Sequence, residues 1–209
     1  MWYNHSMEKL VSDTLHALEG RGFSTHYFES ASAMRDFVLQ NVPETASVGF
    51  GGSVTTEQLG LYDALKARGN AVHFHWKEPR ENRAAVFEAA RKADVYIMSS
   101  NAVSADGALL NIDGTGNRVG CLVNGPNTVF ILLGTNKLTG SRAAAMTRVK
   151  TVACPANARR LGLDTPCART GACADCRTPQ RMCNYIVWTE APRKGATVHV
   201  CVAACQLGF

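Results

Sequence analysis

The segment 166–183, PCARTGACADCRTPQRMC, holds four of the chain's eight cysteines. Their spacing is Cys167-x5-Cys173-x2-Cys176-x6-Cys183. Four thiolates are the full ligand complement of a [4Fe–4S] cluster or of a tetrahedral zinc. The Cys-x2-Cys pair is the tightest element and can hold one metal or two corners of one cluster. Nearby Pro and Gly let the segment wrap a centre, and Arg169, Arg177 and Arg181 would offset thiolate charge. The spacing fits neither the bacterial ferredoxin run nor a zinc ribbon, so it does not name the metal. Redox thiols and inert packing are the other readings of these residues. Cys154, just upstream, is a core residue or a spare ligand, while Cys121, Cys201 and Cys205 read as packing.

A second candidate lies in VGFGGSVTTEQLG, a glycine turn from a strand into a helix. Gly51 and Gly52 leave backbone N–H groups free to meet an anion, and Ser53, Thr55 and Thr56 add hydroxyls. It is neither a Walker loop nor GxGxxG, and a tight turn without a ligand fits equally. The third candidate is SSNAVSADGALLNIDGTGNRVG, which begins where the strand DVYIM ends. In open parallel sheets the carboxyl ends of strands line the ligand crevice. Asn101, Asp106, Asp113, Asn117 and Arg118 are therefore candidate lining residues. Arg118 can clamp a carboxylate or phosphate with two parallel hydrogen bonds, and Asp106 is the one carboxylate nominated as catalytic, for acid–base work. Two connecting turns plus a surface arginine would explain the same segment. His73 and His75 alternate in AVHFHW and read as one polar strand face, because no third metal ligand is near.

These residues need elements to position them. Residues 6–19, 31–41, 55–69, 81–92 and 141–151 read as helices, with Thr55 and Gln58 as a capping box. GFSTHYF, SVGF, AVHFHW, DVYIMSS, GALLNI, RVGCLV, TVFILL, NYIVW and ATVHVCV read as strands. Asp106-Gly107 suits one hairpin turn and DGTGN a second. The alternation predicts an α/β fold with a mainly parallel sheet flanked by helices. A single domain spans 1–209, with residues 154–183 as a Cys-rich metal-binding loop within it.

The bulk numbers narrow the function. With 209 residues, 46% of them hydrophobic and 19% charged, the chain can bury a core. The net charge of +5 is spread along the chain without a basic stripe, so nucleic-acid binding is unsupported and an anionic small molecule fits. The longest apolar run, 129–133, is too short to cross a bilayer, and MWYNHSMEKL is no signal peptide. A cytoplasmic protein is expected, where thiols stay reduced and disulfides are disfavoured. A homo-oligomer is compatible with all of this.

Taken together, VGFGGSVTTEQLGLYDAL, ADVYIMSSNAVSADGALLNIDGTGNRV, GTNKLTGS, CPANARRLG and the Cys-rich segment resemble the LUD-domain family, the lactate-utilization proteins. The resemblance runs from about Met7 to Phe209 and is strongest over 101–118 and at Asn136-Lys137. It implies a fold like that of ribose-5-phosphate isomerase and the CoA transferases, with Gly51, Gly52, Ser53 and Thr55 as ligand contacts. It adds Asn136 and Lys137 to the ligand-binding candidates. Oxidation of lactate or a related small hydroxy-acid is the implied activity, beside iron–sulfur partner proteins, and it tilts the metal toward [4Fe–4S] with zinc as the alternative. A redox-neutral isomerase or transferase acting on a phosphorylated or CoA-linked substrate, and a non-enzymatic anion-sensing subunit, are the rival readings. One departure is visible: Ala204 and Cys205 stand where the family pattern leads one to expect a glutamate.

Overall fold

The computed structural model describes residues 2–209, with side chains from residue 6 onward. The first half runs α1 (Trp2–Gly20), β1 (Ser24–Phe28), α2 (Ala31–Asn41), β2 (Val48–Phe50), α3 (Val54–Gln58), α4 (Leu61–Ala67), β3 (Val72–His73), α5 (Arg83–Lys92) and β4 (Val95–Met98). The second half runs β5 (Ala102–Ser104), β6 (Leu109–Asp113), α6 (Asn117–Asn124), β7 (Thr128–Gly134), β8 (Leu138–Thr139), α7 (Arg142–Arg148), α8 (Cys154–Arg160), α9 (Pro166–Thr170), β9 (Tyr185–Thr189) and β10 (Thr197–Ala203). Among the described residues no helix is long and apolar enough to cross a membrane.

The α/β expectation holds: six parallel strands form a central sheet in the order β1-β10-β7-β4-β2-β3. β4 is buried throughout and β7 nearly so, as strands covered by helices on both faces must be. Side chains of β7 alternate between two cores. Val129, Ile131 and Leu133 join Val11 and Leu18 of α1, whereas Phe130 and Leu132 join Met34 and Val38 of α2.

A second sheet, β8-β5-β6-β9, was not foreseen. β5 pairs parallel with β8, and β6 runs antiparallel to β5 and β9. Its strands β5 and β8 hold three and two residues, too short to leave a periodic pattern. Ala102, Leu110 and Ile112 pack on Ala145, Val149 and Ala153. Those three come from α7 and the π-helical turn 149–153 that leads into α8.

Four local expectations are corrected. RVGCLV is helical, not a strand: the Asp113 carboxylate accepts the N–H groups of Thr115, Gly116, Arg118 and Val119 and so opens α6. Val119 and Leu122 form its buried face while Val123 is 57% exposed. DGTGN is therefore a strand-to-helix turn rather than a hairpin. AVHFHW is a strand only at Val72–His73 and then turns as a 3-10 helix, His75–Lys77. The N-cap of α3 is Ser53, whose hydroxyl accepts from Thr56 N–H, and Gln58 instead accepts from the Gly208 N–H.

The other hairpin turn is where it was expected. Gly107 has φ +82°, and a Cβ there would lie 2.6 Å from the backbone carbon of Ala17, so α1 rests directly on this turn. Gly107→Val should cost about 3 kcal/mol through clash and strain together. Urea unfolding checks it; a loss below about 0.5 kcal/mol, the ordinary surface value, would contradict this packing.

Candidate functional site

The carboxyl ends of β2, β4 and β7 lie side by side in the central sheet. They deliver the glycine turn, Ser99 to Asn101, and Asn136-Lys137 to one edge. β6 and the loop before β9 face this edge. Between them lies a cleft of about 730 Å³, lined by Gly52, Asn101, Asp113, Asn117 and Arg118 among the expected residues. His75, Trp76, Arg83, Asn157 and Arg160 line it as well.

Arg118 is buried, and its fork is taken up by the protein. Nη1 donates to the Ser99 carbonyl (2.7 Å) and Asn111 Oδ1 (2.9 Å), and Nη2 to Asn101 Oδ1 (2.7 Å) and the Ile112 carbonyl (2.8 Å). These four bonds use the donors that a bidentate anion clamp would need. Arg118 thus supplies positive potential to the cleft wall and ties its two sides together. Asn101 and Asp113 are likewise engaged, the first as acceptor for Arg118, the second as the cap of α6.

The glycine turn is shaped by packing. A Cβ on Gly51 would sit 3.0 Å from Arg118 Cγ, and one on Gly52 would sit 2.8 Å from Trp76 Nε1. The helix that follows has only five residues, so it offers little dipole to an anion. The polar focus lies one step deeper. Lys137, 3% exposed, donates from Nζ to Thr55 Oγ1 (2.9 Å) and Ser99 Oγ (2.8 Å). Burial, with Arg148 and Arg118 nearby, lowers its pKa well below the usual lysine range. A cavity of about 80 Å³ adjoins it, lined by Gly52, Ser53, Thr55, Asn101 and Arg118. Asn136 serves the C-terminal tail instead: its Oδ1 accepts the Leu207 N–H at 3.2 Å.

Asp106 is elsewhere. It sits in the hairpin turn, where its carboxylate meets Arg21 (3.2 Å) and Arg142 (2.8 Å) and accepts a hydrogen bond from Ser104. Both arginines also pair with Glu190. Partial burial raises the Asp106 pKa, but Ser104 and the two arginines outweigh it and leave the group lowered. A carboxylate held ionised by two guanidinium groups outside the cleft is a structural ion pair, and the nomination of Asp106 as acid–base residue finds no geometric support.

The four expected cysteines do converge, and Cys154 joins them. Cys154, Cys167, Cys173, Cys176 and Cys183 line one cavity of about 20 Å³. This cavity shares Ile112, Cys154, Arg181 and Met182 with the large cleft, so the thiols sit behind its wall. Between Cys173 and Cys176, Asp175 takes a left-handed conformation (φ 44°) that turns its N–H toward Cys173 Sγ at 3.5 Å. Thr178 donates to Cys176 Sγ at 3.9 Å. Cys154 and Cys183 are 3.6 Å apart, sulfur to sulfur. The hydrogen bond shared with Cys154, aided by Arg181 and Lys150 against burial, lowers Cys183 to about 7. The same bond and burial raise Cys154. Of this pair, Cys183 is therefore the readier thiolate. As the loop stands, no three His, Cys, Asp or Glu side chains among the described residues are close enough to grip one ion.

Sequence reasoning places His75 only on a polar strand face and passes over Trp76, Arg83, Arg160 and Ser99. His75 and Trp76 are hidden in a stretch that reads as a strand, and Arg160 is one of several scattered arginines. Arg160 stacks 4.2 Å over Trp76, fixing the rim of the cleft. His75 is buried, and burial first, then Arg83 and Arg160 against the opposing Asp113, lowers its pKa to about 4. The unfolded chain therefore takes up a proton near pH 6.5 that the fold refuses, so stability falls as pH drops below 6.5 toward 4. The wild type should lose about 2 kcal/mol between pH 7 and 5 through this group. His75→Gln should lose correspondingly less in urea unfolding at the two pH values; equal losses would contradict the buried neutral imidazole.

Comparison with known proteins agrees with this architecture. A crystal structure of a DUF162-family protein from Deinococcus radiodurans is similar, with a TM-score of 0.58 at 10% identity. The match covers 94% of this chain and 98% of that one. At that identity the likeness concerns the fold. No curated protein sequence matches significantly. The family model of the LUD domain matches residues 11–202, and the chain belongs to the LUD-domain family.

Proposed function

We propose that this LUD-domain protein holds a thiolate-ligated metal centre of the [4Fe–4S] type and takes part in oxidising lactate or a related small 2-hydroxy acid in the adjoining cleft. Family membership supports the coarse association with lactate utilization. The observation that carries the finer reading is the convergence of five sulfurs on one cavity that backs onto the cleft.

The residues fit a metal by their chemistry. Cys167, Cys173, Cys176 and Cys183 would be the ligands, with Cys154 at hand as a fifth sulfur. Backbone and hydroxyl donors to Cys173 and Cys176 would stabilise thiolate charge, as would Arg181 and Lys150 along the wall. A bound cluster would supply one-electron transfer, its four irons all being taken up by the four thiolates. The cleft contributes an electropositive lining from Arg83, Arg118, Arg160 and Arg181, partly offset by Glu57 and Asp113. Iron–sulfur proteins are the electron partners this reading requires.

One distance favours zinc as the second reading. Two thiolates on a tetrahedral zinc, with bonds of about 2.3 Å, stand roughly 3.8 Å apart, close to the 3.6 Å between Cys154 and Cys183. The small cavity points the same way: about 20 Å³ takes one water-sized body, and a four-iron cube requires the loop 171–184 to move outward.

Anaerobic purification with metal analysis separates the readings. The cluster reading expects about four irons per chain and a visible thiolate-to-iron band that dithionite bleaches. Cys183→Ser should lose both, while Cys154→Ser keeps them. One zinc without colour, lost on either substitution, would establish the second reading. A protein that carries neither iron nor zinc after anaerobic purification would sink the metal centre altogether.

A further inference from the structure

Lys137 is a buried amine without an acidic partner. The charged groups that act on it are both cationic, Arg148 and Arg118. Its Nζ touches two hydroxyls, Thr55 Oγ1 and Ser99 Oγ, and no described carboxylate pairs with it. A lysine kept charged at this depth would need a counter-ion to offset its desolvation. Lysines that are desolvated next to other cations are instead primed as nucleophiles. Space for a reaction partner is present: the cavity of about 80 Å³ is lined by Lys137 itself with Ser53, Thr55, Ser99, Ser100 and Asn101. The tail closes one side, since a Cβ on Gly208 would lie 3.3 Å from Nζ.

We propose that Lys137 captures the carbonyl carbon of a small 2-oxo acid as a Schiff base. The Nζ lone pair forms the C–N bond while the carbonyl π pair moves to oxygen. A proton passes from nitrogen to that oxygen, for which the Ser99 and Thr55 hydroxyls are in place. The carbinolamine then loses its hydroxyl together with the remaining N–H proton as one water, the nitrogen lone pair closing the C=N bond of the imine. No electrons are gained or lost, so no oxidant is needed. The Ser53 hydroxyl and the Asn101 amide are the donors for the carboxylate, the Ser100 hydroxyl being held by the Ala102 and Leu110 carbonyls. The cavity suits a molecule of a few carbons, unlike the much larger cleft outside it.

The choice of a 2-oxo acid rests on the hydroxy-acid reading above, since such acids are the oxidation products of 2-hydroxy acids. The amine chemistry itself does not depend on the metal centre. The test is to incubate the full chain with pyruvate or glyoxylate, reduce with borohydride, and map the product by mass spectrometry. One reduced adduct per chain is expected, on the peptide carrying Lys137, and Lys137→Arg should abolish it. Because mapping is done on the wild type, the outcome stands even if the variant folds poorly. Adducts confined to surface lysines, or a thermal shift with pyruvate but no adduct, would overturn the proposal by making Lys137 an anion contact only. The same trapping on Cys183→Ser keeps the two readings apart. An adduct there without metal supports the lysine alone, whereas a metal-loaded wild type without adduct refutes the lysine alone.

Discussion

A charge buried between two sheets is the constraint from which the rest of this site follows. Arg118, at the start of α6, reaches the Ser99 carbonyl at the end of β4 on one side. On the other it reaches Asn111 Oδ1 and the Ile112 carbonyl of β6. Burying a guanidinium costs several kcal/mol unless its donors are matched. Here four donors are matched by oxygens of both sheets, so the sheets have one good way to meet. The close approach also explains why Gly51 has no side chain, because its Cβ would press on Arg118 Cγ. The seam is held by geometry that an apolar contact would not specify, and the cleft is the gap left beside it.

Two chemical compartments open from that seam. Ser99 belongs to both sides of it: its carbonyl accepts from Arg118 and its hydroxyl from Lys137. The buried lysine and its small polar cavity therefore share a strand end with the arginine that locks the sheets. On the far wall, Ile112 is flanked by the thiol cavity, and Cys154 enters that cavity from α8. A buried amine and a group of thiols thus lie on two sides of one arginine-lined cleft.

The parts of this arrangement that the sequence reveals are those local in the chain. The four cysteines of 167–183 are legible because they are neighbours, and the parallel sheet is legible because its strands are apolar runs bounded by turns. Cys154 is harder to see, since it lies 29 residues from Cys183 and arrives by way of a helix. Asp106 is hard to place for a similar reason. Its turn was recognised, but its direction is set by Arg21 and Arg142, which are 85 and 36 residues away. RVGCLV alternates like a strand, yet the Asp113 cap ahead of it decides for a helix. The two-residue strand β8 carries no pattern, so the second sheet is not legible, although the cleft residues that follow the end of β4 are.

The seam is best tested by native-state amide hydrogen exchange on Arg118→Met. If the guanidinium joins the sheets, protection should fall together at 99–101 and along β6 and β9, while β1, β7 and β10 keep theirs. Unchanged protection along β6, or an even loss across the whole chain, would show that the two sheets meet without it.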